Sequence, residues 1–278
     1  MATIAGSDSP VRHSGISAVA LRWSSRALVA TVWISSGIFG IYVLALFLGA
    51  IAAGAPEDWN TSLPRLYVER ALAANLGIGV HFALGAVLLL LGPIQLMTSV
   101  RTRWPRFHRW TGWLYASAAF VTGVGGLAFI FLRGTIGGPA MSLGFGLYGA
   151  LIVATSVQTV RHAMARRLQT HRAWAIRLFA LVVGSWLYRM DYGFWFLFAG
   201  RLGHTASFDG WFDKFMIFWF YLPNLAVAEL FIRARKQASP AFRIGAAALL
   251  IGATGFLILA TYFFTLKEWG PVIAGRLA

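Results

Sequence analysis

The chain has 278 residues, of which 58% are hydrophobic and only 12% are charged. A soluble domain carries about 25% charged residues, so this composition is typical of a helical bundle whose outer surface faces lipid. The absence of cysteine excludes disulfides, thiolate metal sites, iron–sulfur clusters and covalent haem attachment. The net charge of +15 does not indicate nucleic acid as a partner, because the basic residues concentrate between apolar segments.

Seven apolar segments follow a polar N-terminus. Residues 1–26 are polar and basic, and we interpret them as a mobile cytoplasmic tail. The first apolar segment is too long for a signal-peptide core and predicts a retained anchor. The fifth would extend to residue 200 if the aromatic stretch YGFWFLFAG continues it, and 266–278 would form an external tail. The predicted spans, each of about the length that crosses a bilayer, are 27–53, 72–97, 109–132, 139–161, 172–190, 214–232 and 243–265.

The charges between the spans predict the orientation. With the N-terminus inside, the inner segments hold fifteen Lys and Arg against one acid, Asp8, while the outer segments hold seven against six acids. Positive residues are enriched in cytoplasmic loops. We therefore predict an all-α, polytopic membrane bundle of seven transmembrane helices, with the N-terminus cytoplasmic and the C-terminus outside.

A short pattern recurs 63 residues further along the chain. In each copy a histidine that is followed by arginine lies thirteen positions after a glutamine: His108-Arg109 after Gln95, and His171-Arg172 after Gln158. This spacing indicates two parallel copies of one hairpin, 72–132 and 139–190, although a chance match of His-Arg pairs at basic helix starts explains it equally simply. If the duplication is real, the two histidines occupy equivalent places on neighbouring helices.

Several polar residues fall inside the predicted spans, where polar side chains are costly and are functional candidates. At a rise of 1.5 Å per residue, His81 and Asn224 lie about 14–15 Å from the outer surface, and Arg189 only about 5 Å from it. Arg177 and Glu229 share a level about 8 Å from the inner surface. These two form either an intramembrane ion pair or separate contacts, with Arg177 reaching lipid phosphate and Glu229 bonding Arg233.

Histidines at the inner interface suggest haem b. Two neutral imidazoles on facing helices can take both axial positions of the iron, which makes His108 and His171 candidate ligands, with Arg109 and Arg172 beside the propionates. The alternative is that both His-Arg pairs are interfacial anchors for phospholipid head groups. His81 is a weaker cofactor candidate, because no second histidine lies at its depth; it is otherwise a packing residue, hydrogen-bonded to Asn224.

Several separated motifs resemble a known family. They are GPIQ at the end of the second span, WPRFHRWTGWLY, HRAWAIRLF and YLPNLAVAE. In this order, across about 75–235, they are similar to a widespread family of predicted bacterial inner-membrane proteins of unknown function; the histidine pairs are more loosely similar to the cytochrome b561 class. The resemblance implies a multi-pass protein of the bacterial inner membrane whose motif positions are His81, Gln95, His108, Arg109, His171, Arg172, Arg177, Arg189, Asn224 and Glu229.

Two functions remain open on the sequence. The first is an intramembrane polar site that binds haem b for electron transfer. The second is a non-enzymatic accessory subunit or assembly factor of a larger membrane complex, with lipid or pigment contacts and other membrane subunits as partners. A solute transporter is less favoured, because paired broken helices are not predicted.

Overall fold

The computed structural model describes residues 15–61, 67–236 and 239–277, and all regular structure within these ranges is helical. A short 3₁₀ helix, Pro56–Thr61, and a π-helical turn, Thr265–Trp269, supplement the α-helices. The α-helices are α1 (Ile16–Ala52), α2 (Leu72–Leu96), α3 (Thr98–Arg103), α4 (Pro105–Arg133), α5 (Gly138–Met164), α6 (Leu168–Val182), α7 (Gly184–Ala199), α8 (Trp211–Trp219), α9 (Leu222–Lys236), α10 (Pro240–Phe264) and α11 (Gly270–Leu277).

Six segments within the described ranges are long and apolar enough to cross a membrane, rather than the seven predicted. The predicted fifth span is the one that falls short. It is divided at Val183 into α6, of 15 residues, and α7, of 16 residues, and each is shorter than the ~20 residues that cross hydrocarbon. The six candidate segments are Ile16–Ala52, Gly79–Leu96, Pro105–Arg133, Gly138–Met164, Trp211–Lys236 and Pro240–Arg276.

The break between α6 and α7 contacts a second break, between α8 and α9. A side chain at Gly184 would place its Cβ 3.0 Å from the carbonyl oxygen of Phe220, so only glycine permits this close approach. The second break follows from Pro223, whose ring nitrogen cannot donate to the carbonyl of Trp219. Two broken helices therefore meet in the structure, whereas paired broken helices were not predicted.

Side chains satisfy the carbonyl groups that the two breaks release. The Asn224 amide donates to the Phe220 carbonyl at 2.6 Å, and the Tyr148 hydroxyl donates to the Leu181 carbonyl at 2.9 Å. Unpaired backbone groups are expensive in hydrocarbon, so these bonds stabilise both interruptions. Asn224 therefore has a structural role that the sequence did not indicate.

The helices join alternately at two ends of the bundle. At the first, which we call the basic end, α2 meets α4 through Gln95, α5 meets α6 through His171, and Arg243 of α10 donates to a carbonyl of α9. At the opposite end, Trp59 donates to the carbonyl of Phe47 in α1.

Both terminal tails differ from the prediction. Helix α1 begins at Ile16, so the second half of the predicted tail 1–26 forms its first turns, while residues 1–14 lie outside the described ranges. The predicted external tail, 266–278, is largely helical, and Arg276 of α11 forms an ion pair with Asp58 at 2.5 Å. Polar composition indicated tails, but both segments are largely helical where the structure describes them.

Aromatic and aliphatic side chains form two main clusters of buried residues. One joins α1, α7, α10 and α11 around Trp186 and Trp269, which are 1% and 2% exposed. The other joins α2 and α4–α8 around Leu178 and Tyr221. Large apolar residues such as Phe131 are almost fully exposed on the outside, as expected for a surface that faces lipid.

Candidate functional site

A large cavity lies between the layer formed by α1, α9 and α10 and the layer formed by α2, α4 and α6. Its volume is about 2520 Å³, larger than the roughly 300–1,000 Å³ of a pocket for a drug-sized molecule. Apolar residues such as Phe179, Val183 and Phe256 line its middle. Several lining residues, including Trp33 and Leu249, are also more than a third exposed, so the cavity opens between helices toward the bilayer.

Seven arginines line the cavity at the basic end. None of them has a carboxylate within 4.0 Å among the residues that the structure describes. Two stack on aromatic rings instead: Arg26 on Trp23 at 5.1 Å and Arg235 on Phe231 at 5.8 Å. We call this set the basic ring; it consists of Arg22, Arg26, Arg101, Arg109, Arg172, Arg235 and Arg243.

His108 and His171 both line the cavity beside this ring. Each is the fourth residue of its helix, and each backbone N–H bonds the residue that precedes the helix, Trp104 or Arg167. The Nδ1 atom of His171 lies 2.9 Å from the Thr159 carbonyl, which can only accept, so Nδ1 donates and Nε2 carries the free lone pair. The Nδ1 atom of His108 is buried with no hydrogen-bond partner.

The two predicted glutamines differ in their surroundings. The Gln95 amide donates to the Thr111 hydroxyl at 2.5 Å, and this hydroxyl donates to the Phe107 carbonyl at 2.7 Å, which ties α2 to α4. Gln158 does not line the cavity. The two copies of the predicted repeat therefore share the position of the histidine but not the contacts of the glutamine.

Arg177 and Glu229 form the ion pair that the sequence offered as one of two alternatives. The Nε and Nη2 atoms of Arg177 donate to the same carboxylate oxygen at 3.0 and 2.7 Å. The second alternative is partly present as well, because Arg233 reaches the other oxygen of Glu229 at 3.4 Å. Neither member of the pair lines the cavity, so the pair fastens α6 to α9 from outside it.

His81 and Asn224 do not meet, contrary to the expectation of a hydrogen bond between them. Asn224 lines the cavity and bonds within its own helix. His81 is exposed on α2. The sequence placed Arg189 about 5 Å from the outer surface, but α7 continues to Ala199, which places Arg189 about 15 Å below that end.

Sequence analysis missed an acidic network at the opposite end. Asp213 is fully buried and accepts hydrogen bonds from the Tyr192 hydroxyl and from His204 Nδ1, both at 2.7 Å. The spacing H-x₈-D between the two residues did not indicate this contact, because an aspartate at the third residue of a helix is usually an N-terminal charge at the surface. The network closes the 200–210 loop onto α8.

The described residues contain no group of three or more His, Asp or Glu side chains that could hold a bare metal ion. Haem makes a smaller demand, because the porphyrin supplies four ligands and the protein only two. His171 suits this role, since its Nδ1–H bond to a carbonyl orients the ring and leaves Nε2 free.

Comparison with known proteins gives one match. No curated protein and no solved structure matches the chain. A family model described as "Predicted membrane protein (DUF2306)" matches residues 78–232, which extend from α2 into α9 and include every predicted site residue. The α1 and α10 walls of the cavity lie outside the match. Since the match covers more than half of the chain, the protein belongs to this family of predicted membrane proteins of unknown function.

Proposed function

We propose that this protein binds an amphipathic anion of the membrane, with its charged group in the basic ring and its apolar body in the cavity. The observation that carries the proposal is that seven arginines without described acidic partners surround one end of a largely apolar cavity, whose one described lining carboxylate, Asp191 of α7, lies away from that end. Arginines that only anchor a helix would point away from the bundle toward lipid head groups. These seven line the open cavity instead, where an anionic group would neutralise them.

The expected energy follows from the charges. A basic side chain near an anionic head group contributes about 1 kcal/mol. Removing Arg172 and Arg235 together should therefore cost about 2 kcal/mol, or about thirtyfold in affinity. Lipid species bound to the purified protein can be counted by native mass spectrometry, with phosphatidylglycerol and phosphatidylcholine of identical acyl chains offered in equal amounts.

We expect preferential retention of phosphatidylglycerol, lost in the Arg172→Gln/Arg235→Gln variant. The matched control is Arg133→Gln/Arg201→Gln, which removes two exposed arginines at the opposite end of the bundle. Equal retention of both lipids by the wild type, or equal losses in the two variants, would refute the proposal. The accessory-subunit alternative makes a separate prediction, namely that other membrane subunits co-purify in mild detergent.

Haem b is the second candidate ligand, and the two cavity histidines favour it. It is itself an amphipathic anion, with two carboxylates suited to Arg109 and Arg172. His108 and His171 would hold the iron, and bound haem would supply one-electron transfer. Absorption spectra of protein purified from haem-supplied cells test this: a Soret band should shift on reduction and disappear in His108→Ala/His171→Ala. The control is His162→Ala, a histidine that does not line the cavity. A colourless wild-type preparation excludes haem.

The topology that we propose is seven crossings of a bacterial inner membrane, with α6 and α7 together forming the fifth and the basic end in the cytoplasm. Support comes from the charge bias between spans and from contacts at the two ends of the α6–α7 pair. His171 bonds Thr159 at the basic end, while Tyr192 bonds Asp213 near the loop at the opposite end.

Because the chain lacks cysteine, single-cysteine variants test this topology directly. A membrane-impermeant maleimide should label Ser207→Cys in intact cells, and should label Gln169→Cys only after permeabilisation. These positions flank α6 and α7, so labelling of both from the same side would show that the pair does not cross.

A further inference from the structure

Four helices bring polar side chains to one level in the middle of the bundle. The side chains are Tyr42 of α1, His81 of α2, Tyr148 of α5 and Arg189 of α7. Counted at 1.5 Å per residue from the end of each helix at the opposite end of the bundle, they lie about 14–15 Å deep. Half of a hydrocarbon core of about 30 Å is the same distance, so this level is close to the bilayer midplane.

Arg189 carries a charge at this level without a counter-ion. Among the described residues no carboxylate lies within 4.0 Å of it, and its Nη1 atom donates only to the Ser185 carbonyl of its own helix, at 3.0 Å. The side chain is exposed although Trp186 and Met190, on either side, are buried. Arginine stays protonated and presents five N–H donors, so most of its donors face open space.

The groups around Arg189 are donors or neutral rather than acidic. Its level is shared by His81, Tyr42 and Tyr148, none of which is negatively charged at neutral pH. The Tyr148 hydroxyl is already bonded to the Leu181 carbonyl. The Tyr42 hydroxyl donates to Glu268 at 3.4 Å, and this carboxylate is outside ion-pair distance of Arg189.

The face of α2 around His81 is open. His81 is exposed, and Val80 beside it is 56% exposed, so this face of α2 is not covered by another described helix. The space is separate from the large cavity, which neither His81 nor Arg189 lines. The proposals for the two sites can therefore be tested separately.

We propose that this midplane cleft binds an oxyanion, a carboxylate or phosphate group, with Arg189 as its bidentate partner and His81 as a second donor. An unpaired arginine inside a membrane bundle is costly, and a planar oxyanion matches the fork of the guanidinium. The group belongs either to a free anion that enters through water or to a lipid that enters from the bilayer.

Thermal unfolding and calorimetric titration of the purified protein test this. Inorganic phosphate, with chloride at equal ionic strength as its control, represents the free anion; oleate, with oleyl alcohol as its control, represents the lipid. We expect one oxyanion to bind beyond its control, with Arg189→Gln weakening it about tenfold to a hundredfold. If Arg189→Gln does not fold, Arg189→Lys is tested in its place. Lysine keeps the positive charge but lacks the planar guanidinium that binds two oxygens at once, so this variant should still weaken binding.

Two controls separate this site from others. Arg201→Gln removes an exposed arginine toward the same end and should leave binding unchanged. Because the basic ring can bind the same probes, Arg189→Gln is also compared in the Arg172→Gln/Arg235→Gln background, where it should still weaken the remaining binding. The inference is overturned if neither oxyanion exceeds its control, if all arginine variants bind equally, or if only the basic-ring variant loses binding. That last outcome would leave the proposed function intact.

Discussion

Asp213 offers the sharpest test of the fold, because its carboxylate holds an entire loop. One oxygen accepts from the Tyr192 hydroxyl and from His204 Nδ1, both at 2.7 Å. The other accepts from the backbone N–H groups of Thr205 and Gly210, at 3.0 and 3.1 Å. The carboxylate has no exposed surface, so water cannot replace any of the four bonds.

Asp213→Asn should therefore be strongly destabilising despite its nearly unchanged shape. Asparagine keeps one acceptor oxygen and places an amide NH₂ where the other stood. The two donors that bonded the lost oxygen then face another donor group. Hydrogen bonds to a charged group contribute about 1.5–3 kcal/mol each, and the unpaired donors stay buried. Since such losses are not additive, we expect a decrease of about 3–5 kcal/mol in the free energy of unfolding.

Reversible unfolding in mixed detergent and SDS micelles measures this loss, and protease cleavage within 200–210 reports the freed loop. The control is Asp209→Asn, the same substitution four residues away. Asp209 accepts from the Thr205 and Ser207 hydroxyls but is exposed, so the loss in this variant should be much smaller than in Asp213→Asn. If the two variants unfold alike, Asp213 does not organise the loop.

Two further predictions concern contacts between helices. Gly144→Ala should destabilise the protein by about 1–3 kcal/mol, because its Cβ would lie 2.9 Å from the Ile217 carbonyl oxygen. Gly146→Ala on the same helix meets open space and should be neutral or stabilising. Unfolding in detergent compares the two variants, and equal effects would contradict the α5–α8 contact. A double-mutant cycle of Arg177→Gln and Glu229→Gln should give a coupling energy of about 1–3 kcal/mol, and a coupling near zero would mean that Arg177 reaches lipid phosphate instead.

Much of the helix content could be predicted from the sequence, because a membrane span is recognisable from composition alone. The predicted spans 72–97 and 139–161 differ by a few residues at most from Leu72–Leu96 and Gly138–Met164. The Arg177–Glu229 contact could also be predicted, since unpaired charges are costly in hydrocarbon and these two opposite charges lie at one depth.

The interruption at Val183 was not predictable in the same way. Its local sequence, ALVVGSWLY, contains no proline, and a glycine inside a membrane helix usually signals only close packing. The break becomes visible when Phe220 is placed against Gly184, a contact between residues 36 positions apart. Such information is tertiary, and hydropathy along one segment does not contain it. For the same reason, the partners of His204 and Asp213 stayed hidden.

The length of α7 determines how deep Arg189 lies in the membrane. If the fifth span ended at residue 190, Arg189 would lie at the interface, where an arginine reaches head groups at little cost. Because the aromatic residues up to Ala199 continue the helix, the same arginine lies about ten residues deeper, at the level of His81. An interfacial anchor then becomes an unpaired charge near the midplane, for which lipid offers no partner. A change in one helix boundary thus turns an unremarkable residue into the candidate centre of a binding site, one independent of the basic ring at the other end of the bundle.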